Sequence, residues 1–194
     1  MKLLYTKRSP YARKVRVIAL EKGITLDLID EDLQKKSQRL LEANPLGKVP
    51  TLILDNGLTV FDSSIICQYL DSLDDRNIMI PREGLQRIEV LKWEAFADDL
   101  TTGAINLYME KIRHPDDFYK DFVGALEKNI LSAYTYIDKN LSNLKKFDLA
   151  SIAVSSAIGY IHFRLPHMRV QGSLYRWFEE ISKRPSMVQT IPVV

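Results

Sequence analysis

Two polar segments of the chain carry groups that could bind a short peptide with free charges. One is the run Asn44-Pro45-Leu46-Gly47-Lys48-Val49-Pro50-Thr51-Leu52. Because proline has no backbone N–H to donate, Val49-Pro50 predicts the end of a loop before an edge strand, which leaves the backbone of Val49 free for a ligand. The sequence leaves open whether this peptide bond is cis. The other segment is Asp62-Ser63, where a predicted strand gives way to a helix, so helix-start N–H groups and a hydroxyl can hold a carboxylate.

The elements that must position these groups alternate in type over residues 1–73. Strands that alternate with helices imply crossover connections, whereas Asp55-Asn56-Gly57 between two apolar runs predicts a hairpin. The expected structure is therefore a mixed four-stranded sheet with a thioredoxin-like α/β layout. The predicted strands are Leu3–Tyr5, Leu26–Ile29, Thr51–Leu54 and Leu58–Phe61, and the predicted helices are Pro10–Lys22, Gln34–Glu42 and Ser63–Leu73.

The rest of the chain predicts an all-α helical bundle. Charge, Pro81 and Gly84 interrupt the pattern, which places an N-terminal domain at residues 1–75, a linker at 76–84 and a C-terminal domain at 85–194. In the second domain Asp148 can cap a helix, with Ser151 where a capping box has Glu or Gln. The predicted helices are Leu85–Lys111, Asp116–Leu141, Asp148–Phe163 and Leu174–Lys183.

Composition excludes several function classes. The 27 Lys and Arg against 25 Asp and Glu are interspersed, so no global field indicates nucleic acid or an anionic membrane as a partner. No apolar run approaches the roughly 20 residues of a membrane span, and the N-terminus lacks a signal-peptide pattern, so we expect a cytoplasmic protein. Cys67 is the single cysteine and the histidines lack metal-ligand spacing, which predicts neither a disulfide nor a metal.

The order and spacing of these motifs resemble the cytosolic glutathione S-transferase family over nearly the whole chain. The resemblance is carried by the opening Leu3-Leu4-Tyr5 and the run from Arg8 to Arg16, by the two polar segments above, and by the tail Ile181-Ser182-Lys183-Arg184-Pro185-Ser186. It implies glutathione as co-substrate, a transferase activity in detoxification and a homodimer with a two-fold axis.

The resemblance makes Ser9 the candidate catalytic residue. Ser9 directly precedes Pro10, which suits the first turn of a helix, so its hydroxyl lies near a positive helix end. A hydrogen bond from the hydroxyl together with the helix end could lower the pKa of a thiol from about 8.5 by one to two units. The alternative is that Ser9 only caps the helix. Tyr5 and Tyr11 are rival thiol activators, although Tyr5 lies within the predicted strand.

The resemblance also assigns the ends of the ligand. Val49, followed by Pro50, would bind the cysteinyl moiety, Asp62 and Ser63 the γ-glutamyl end, and Lys48 the glycine carboxylate, with Lys35 and Arg39 as weaker candidates. A small apolar electrophile would enter a cleft between the domains. Its candidate lining residues, which could equally be core, are Tyr11, Trp93, Phe96, Leu100, Tyr108 and Phe163.

The sequence is compatible with three hypotheses about function. The first is a glutathione transferase acting on an apolar electrophile. The second is a non-catalytic protein-binding module with the same fold, which would not need a complete ligand edge. The third is a glutathione-dependent isomerase or dehalogenase, for which the basic residues near Ser9 would suit an anionic substrate. Those residues, Lys7, Arg8, Arg13, Lys14 and Arg16, are spaced as a solvated helix face usually is.

Overall fold

The computed structural model describes residues 1–193, and its first part is built on a four-stranded sheet. The strands are β1 (Lys2–Tyr5), β2 (Asp27–Asp30), β3 (Thr51–Ile53) and β4 (Thr59–Val60), in the spatial order β2-β1-β3-β4. Strand β1 is parallel to β2 and antiparallel to β3, and β3 is antiparallel to β4. The predicted mixed sheet and fold class are confirmed.

Three helices pack with this sheet: α1 (Pro10–Glu21), α2 (Gln38–Ala43) and α3 (Ser63–Ser72). Helix α1 begins at Pro10 because a proline at the first position loses no helical hydrogen bond. Helix α2 begins four residues later than the predicted start at Gln34, because the Ser37 hydroxyl accepts a hydrogen bond from Leu40 N at 3.1 Å and caps the helix there.

The second part is helical, as predicted. Its helices are α4 (Gly84–Arg113), α5 (Lys120–Lys139), α6 (Leu149–Arg164), α7 (Gly172–Ser182) and α8 (Pro185–Gln189), with 3₁₀ turns at Leu141–Leu144 and Pro166–Met168. Helix α6 is buried along most of its length and packs against both α1 and α4. The sequence did not predict α8, because five residues are too few to show a helical period.

The start of α6 is held by a reciprocal capping box. Asp148 Oδ1 accepts from the backbone N–H groups of Ala150 and Ser151 at 3.1 and 3.3 Å, and the Ser151 hydroxyl accepts from Asp148 N at 3.1 Å. Serine thus replaces the usual Glu or Gln in this box without loss of its geometry. Burial raises the pKa of the Asp148 carboxyl.

A buried carboxylate holds the segment that connects α3 to α4. Asp71, 1% exposed, accepts from the backbone N–H groups of Met79 and Ile80 at 2.9 and 3.0 Å. Lys22 Nζ donates to the same carboxylate at 3.2 Å. One hydrophobic core then runs without interruption from β1 through α6 to α8, so the two parts pack as one body.

Two residues of the basic run contradict the expected solvated face. Arg13 and Lys14 are 4% and 1% exposed, because α1 packs against α6 and α8 of the helical part as well as against α3. Arg13 Nη2 donates to Met187 O at 3.2 Å and anchors α8, and burial, with Arg16 nearby, lowers the pKa of Arg13 to about 10. Lys7 and Arg8 are exposed, as the sequence predicts.

No helix within residues 1–193 combines the length and apolar character that a membrane crossing needs. Over the same residues, no group of three or more His, Cys, Asp or Glu side chains is arranged to hold a metal ion.

Candidate functional site

The sheet topology brings the predicted ligand groups to one edge. Leu4, near the end of β1, pairs with Thr51 at the beginning of β3, and Val60 at the end of β4 pairs with Leu52. The segments that follow β1, precede β3 and follow β4 therefore leave the sheet on the same side. These segments contain Ser9, Val49-Pro50 and Asp62-Ser63 respectively.

Ser9 caps α1 and still has a proton to donate. Its Oγ accepts from Ala12 N at 3.2 Å, and within residues 1–193 the hydroxyl has no acceptor. A serine hydroxyl can accept and donate at once, so capping and hydrogen bonding to a ligand are compatible roles. The sequence presented these as alternatives, and the geometry allows both.

The loop before β3 presents the backbone of Val49. The Val49-Pro50 peptide bond is cis, and neither backbone group of Val49 is hydrogen-bonded within the described part of the chain. Asn44, 3% exposed, holds the loop by donating to Lys48 O and Thr51 Oγ1, each at 3.2 Å. Sequence reasoning gave Asn44 no role, although an asparagine before a proline is a turn signal.

Gly47 lets this loop close tightly. Its φ of +58° lies in the left-handed region, and a Cβ there would stand 2.8 Å from the Lys36 side chain.

Asp62 and Ser63 lie at the start of α3, after a Phe61–Asp62 peptide bond that is also cis. Asp62 is exposed and caps the helix, with its Oδ1 accepting from Ser64 N at 3.1 Å. Ser63 is 3% exposed, and its hydroxyl has no hydrogen-bond partner among residues 1–193. A nearly buried hydroxyl without a partner beside a helix N-terminus is suited to bind a carboxylate.

The lysine and arginine candidates differ in availability. Lys48 is exposed and forms no ion pair with the residues described. Lys35 is also exposed, in the connection before α2. Arg39 instead donates to Glu31 Oε1 at 2.8 Å, which commits its guanidinium to a protein carboxylate.

A buried charge cluster, which the sequence did not predict, connects the starts of α1 and α3 to α4. Lys14 Nζ donates to Glu94 Oε1 at 2.8 Å and to Asp98 Oδ2 at 2.6 Å, and Ser64 Oγ donates to Glu94 Oε2 at 3.3 Å. Burial raises the pKa of the Asp98 carboxyl, which Lys14 partly offsets. Burial also raises the pKa of the nearby Cys67 thiol well above its usual range, so this cysteine is a packing residue.

Both tyrosines weighed as thiol activators are held by other parts of the protein. Tyr5 is 6% exposed, within β1, and lies beneath the Arg16 guanidinium. Tyr11 OH is 2.7 Å from Thr102 Oγ1 on α4, and burial raises the pKa of the Tyr11 hydroxyl. These contacts favour Ser9 over both tyrosines.

Tyr11, Tyr108 and Phe163 are partly exposed on α1, α4 and α6, which meet next to the edge. The Arg164 Nη1 donates to Tyr108 OH at 3.0 Å. Sequence reasoning missed Arg164, because a cation at the end of an apolar helix is also a common terminating residue.

Other predicted lining residues belong to the interior. Trp93 is 1% exposed and packs against Phe96 and Tyr136 with ring centroids 5.6 and 5.4 Å away. Trp93 therefore has no surface to offer a substrate, which corrects the expectation that it lines the cleft. Leu100 is also buried, at 8% exposed. Two surface cavities of about 580 and 630 Å³, next to Phe118 and Met168, contain none of the predicted site residues.

Comparisons with known proteins agree with this fold. Residues 3–77 match the family model described as glutathione S-transferase, N-terminal domain. An uncharacterised GST-like protein of Escherichia coli K12, YibF, is 33% identical, and the match covers 99% of this chain and 98% of that protein.

Solved structures of glutathione transferase family members are also similar to this chain. A glutathione transferase family member from Pseudomonas fluorescens Pf-5, crystallised with bound glutathione, is 34% identical with a TM-score of 0.94 and covers 100% of this chain and 99% of that one. A second structure of a family member from the same strain contains S-(propanoic acid)-glutathione. A glutathione S-transferase from Methylobacillus flagellatus KT with glutathione bound is 35% identical with a TM-score of 0.92, and the match covers 99% of each chain.

Proposed function

Because the chain belongs to the cytosolic glutathione S-transferase family, we propose that it is a glutathione transferase that joins the glutathione sulfur to a small apolar electrophile. The observation that carries this proposal is the convergence of three unpartnered groups on one edge of the sheet: the Ser9 hydroxyl, the Val49 backbone and the Ser63 hydroxyl. Glutathione bound to the relatives from Pseudomonas fluorescens and Methylobacillus flagellatus supports it.

Each end of glutathione has a complementary group at this edge. Ser63 and the N-terminus of α3 suit the γ-glutamyl carboxylate, and Asp62 suits its ammonium group. The Val49 backbone, fixed by the following Pro50, would pair with the cysteinyl backbone, and Lys48 would meet the glycine carboxylate as a flexible cation.

The Ser9 hydroxyl donates a hydrogen bond to the sulfur and stabilises the thiolate over the thiol. With an aryl chloride as electrophile, the thiolate sulfur forms a bond to the ring carbon that bears chlorine. The carbon–chlorine bond then breaks, chloride leaves with the electron pair, and the thiol proton passes to solvent. A lower thiol pKa increases the fraction of glutathione that is present as thiolate at neutral pH. The reaction is faster because the thiolate is the nucleophile.

The proposal extends to a cytoplasmic homodimer with a detoxification role. Exposed apolar side chains lie near the edge at Phe61 (40%) and Ile65 (51%) and on α4 at Leu85 (87%) and Ile88 (61%). Such surface is typical of protein interfaces. We expect light scattering to give the mass of a dimer, and Ile65→Lys to shift it towards the monomer. The control Leu20→Lys, at a leucine on α1 that is 42% exposed, should leave it unchanged.

A thermal-shift titration with glutathione tests the binding site. A ligand present at about 100 times its Kd adds about 2.7 kcal/mol to the free energy of unfolding. Ser63→Ala should raise the apparent Kd by about tenfold or more, because a hydrogen bond to a charged carboxylate is lost. Ser72→Ala, at the other end of α3, is the matched control. A wild-type chain that shows no shift at saturating glutathione would refute the proposal in favour of the protein-binding module.

A further inference from the structure

Arg164 is a cation without a counter-charge at the junction of α1, α4 and α6. Its guanidinium carbon lies 4.7 Å from the centroid of the Tyr108 ring and 4.4 Å from that of Phe163. Its Nη1 donates to the Tyr108 hydroxyl, and its buried Nε has no hydrogen-bond partner. Within residues 1–193, no carboxylate forms an ion pair with it. Arg164 is half-buried, with its Nε out of water, and an arginine in such a position usually has an anionic partner.

This junction lies next to the sheet edge that carries Ser9. Tyr11 is on the first turn of α1, which Ser9 caps, and its hydroxyl contacts Thr102 on α4. Burial raises the pKa of the Tyr160 hydroxyl, and Arg164, Tyr108 and Tyr11 all lie close enough to act on it. Tyr160 thus lies near both Tyr11 at the start of α1 and Arg164 at the end of α6.

We propose that Arg164 binds a carboxylate on the second substrate, so the preferred electrophile is an organic acid with an apolar body. The inference rests on the proposed glutathione transferase function and narrows its substrate class. Tyr108 and Phe163 hold the guanidinium plane and contact the apolar body, while the planar donors of Arg164 match a carboxylate. The exposed Lys7 and Arg8, in the loop before Ser9, add positive charge beside the start of α1.

The test compares two electrophiles that differ by one charge. Chlorodinitrobenzoate and its methyl ester react with the glutathione sulfur by the same displacement of chloride, and only the first carries an anion. We expect Arg164→Gln to lower kcat/KM for the acid by at least about tenfold, equivalent to about 1.4 kcal/mol, and to leave the ester within about twofold. Arg176→Gln removes an exposed arginine on α7 and should leave both substrates unchanged. Arg164→Lys keeps the charge but loses the planar donors stacked on Tyr108 and Phe163, so it should retain only part of the preference for the acid.

Two outcomes would overturn the inference. Equal losses for acid and ester would assign Arg164 to the structure of the end of α6, where a cation also stabilises the helix. Unchanged kinetics for both would remove it from the site.

A binding measurement separates this inference from the catalytic proposal. Calorimetry with S-carboxyethyl-glutathione and S-propyl-glutathione needs no turnover. If neither electrophile is conjugated, but the wild type binds the carboxyethyl compound more tightly and Arg164→Gln abolishes the difference, the transferase proposal fails and the carboxylate site stands. Equal affinities of the wild type for both compounds would refute the carboxylate site whatever the activity.

Discussion

Replacing Ser9 by alanine should raise the pKa of bound glutathione while leaving the site assembled. The hydroxyl, which accepts from Ala12 N at 3.2 Å, has its own proton free for the sulfur. A hydrogen bond to a charged group is worth about 1.5–3 kcal/mol, and one pKa unit corresponds to about 1.4 kcal/mol, so the hydroxyl accounts for about one to two units. The helix end remains in the variant and lowers the pKa of the bound thiol by about half a unit, so this pKa would be about 6.5 in the wild type and about 8 in Ser9→Ala.

These values predict a pH-dependent defect. At pH of about 6 the thiolate fraction is about 24% for a pKa of about 6.5 and about 1% for a pKa of about 8, so kcat should fall by about 25-fold. The defect should shrink as the pH rises above the pKa of the variant, where both proteins hold mostly thiolate. Ultraviolet absorbance of the bound thiolate, titrated against pH, measures the pKa directly, and initial rates with chlorodinitrobenzene measure the consequence.

Ser37→Ala is the matched control, because Ser37 caps α2 through the same kind of hydrogen bond, to Leu40 N at 3.1 Å. Each substitution removes a helix cap worth about 1 kcal/mol, so both should lower Tm by a similar few degrees. Only Ser9→Ala should move the thiol pKa. A Ser9→Ala protein that binds glutathione with the wild-type thiol pKa would refute the assignment, as would a Ser37→Ala protein with the same kinetic defect.

Two further predictions concern buried charge. Lys14→Met should lower the free energy of unfolding, measured in urea, by about 3–5 kcal/mol, because it leaves Glu94, which is 2% exposed, without its cation. Adding Glu94→Gln should restore part of this loss. A cost of the single substitution below about 1 kcal/mol would contradict this account. Burial, with Arg169 nearby, lowers the pKa of His162 to about 4 from its usual 6.5, and its Nε2 accepts from Val170 N at 3.1 Å. Between these values the unfolded chain binds a proton that the folded chain does not, so stability should fall as the pH is lowered from 6.5 to 4, and His162→Gln should flatten that dependence in denaturation measured across the range.

The sequence predicts the parts of the site that local rules determine. Ser9 and Asp62 cap helices, and Val49 precedes a proline, so the position of each follows from its immediate neighbours in the chain. The order of strands and helices then brings these positions together, since a mixed sheet of this connectivity has its β1 and β4 ends beside the beginning of β3.

Contacts between distant segments could not be predicted in this way. Lys14 lies on a helix next to other basic residues, a pattern typical of an exposed face, and its partner Glu94 is 80 positions further on. Arg164 and Tyr108 are separated by 56 positions, and nothing in either local sequence indicates that they meet. Helical periodicity identifies a buried face but not the element that covers it, which is why buried Trp93 was expected in the cleft.

Glu94 connects the two sides of the proposed glutathione site. Its carboxylate accepts from Lys14 on α1, whose start carries Ser9, and from Ser64 on α3, next to Ser63. The group proposed to activate the sulfur and the group proposed to bind the γ-glutamyl carboxylate are therefore positioned against one acceptor on α4. Because this carboxylate is buried and charged, lengthening either contact would leave a buried polar group without its partner, which is costly. The helical part of the chain thus sets the spacing between Ser9 and Ser63, across which glutathione is proposed to bind.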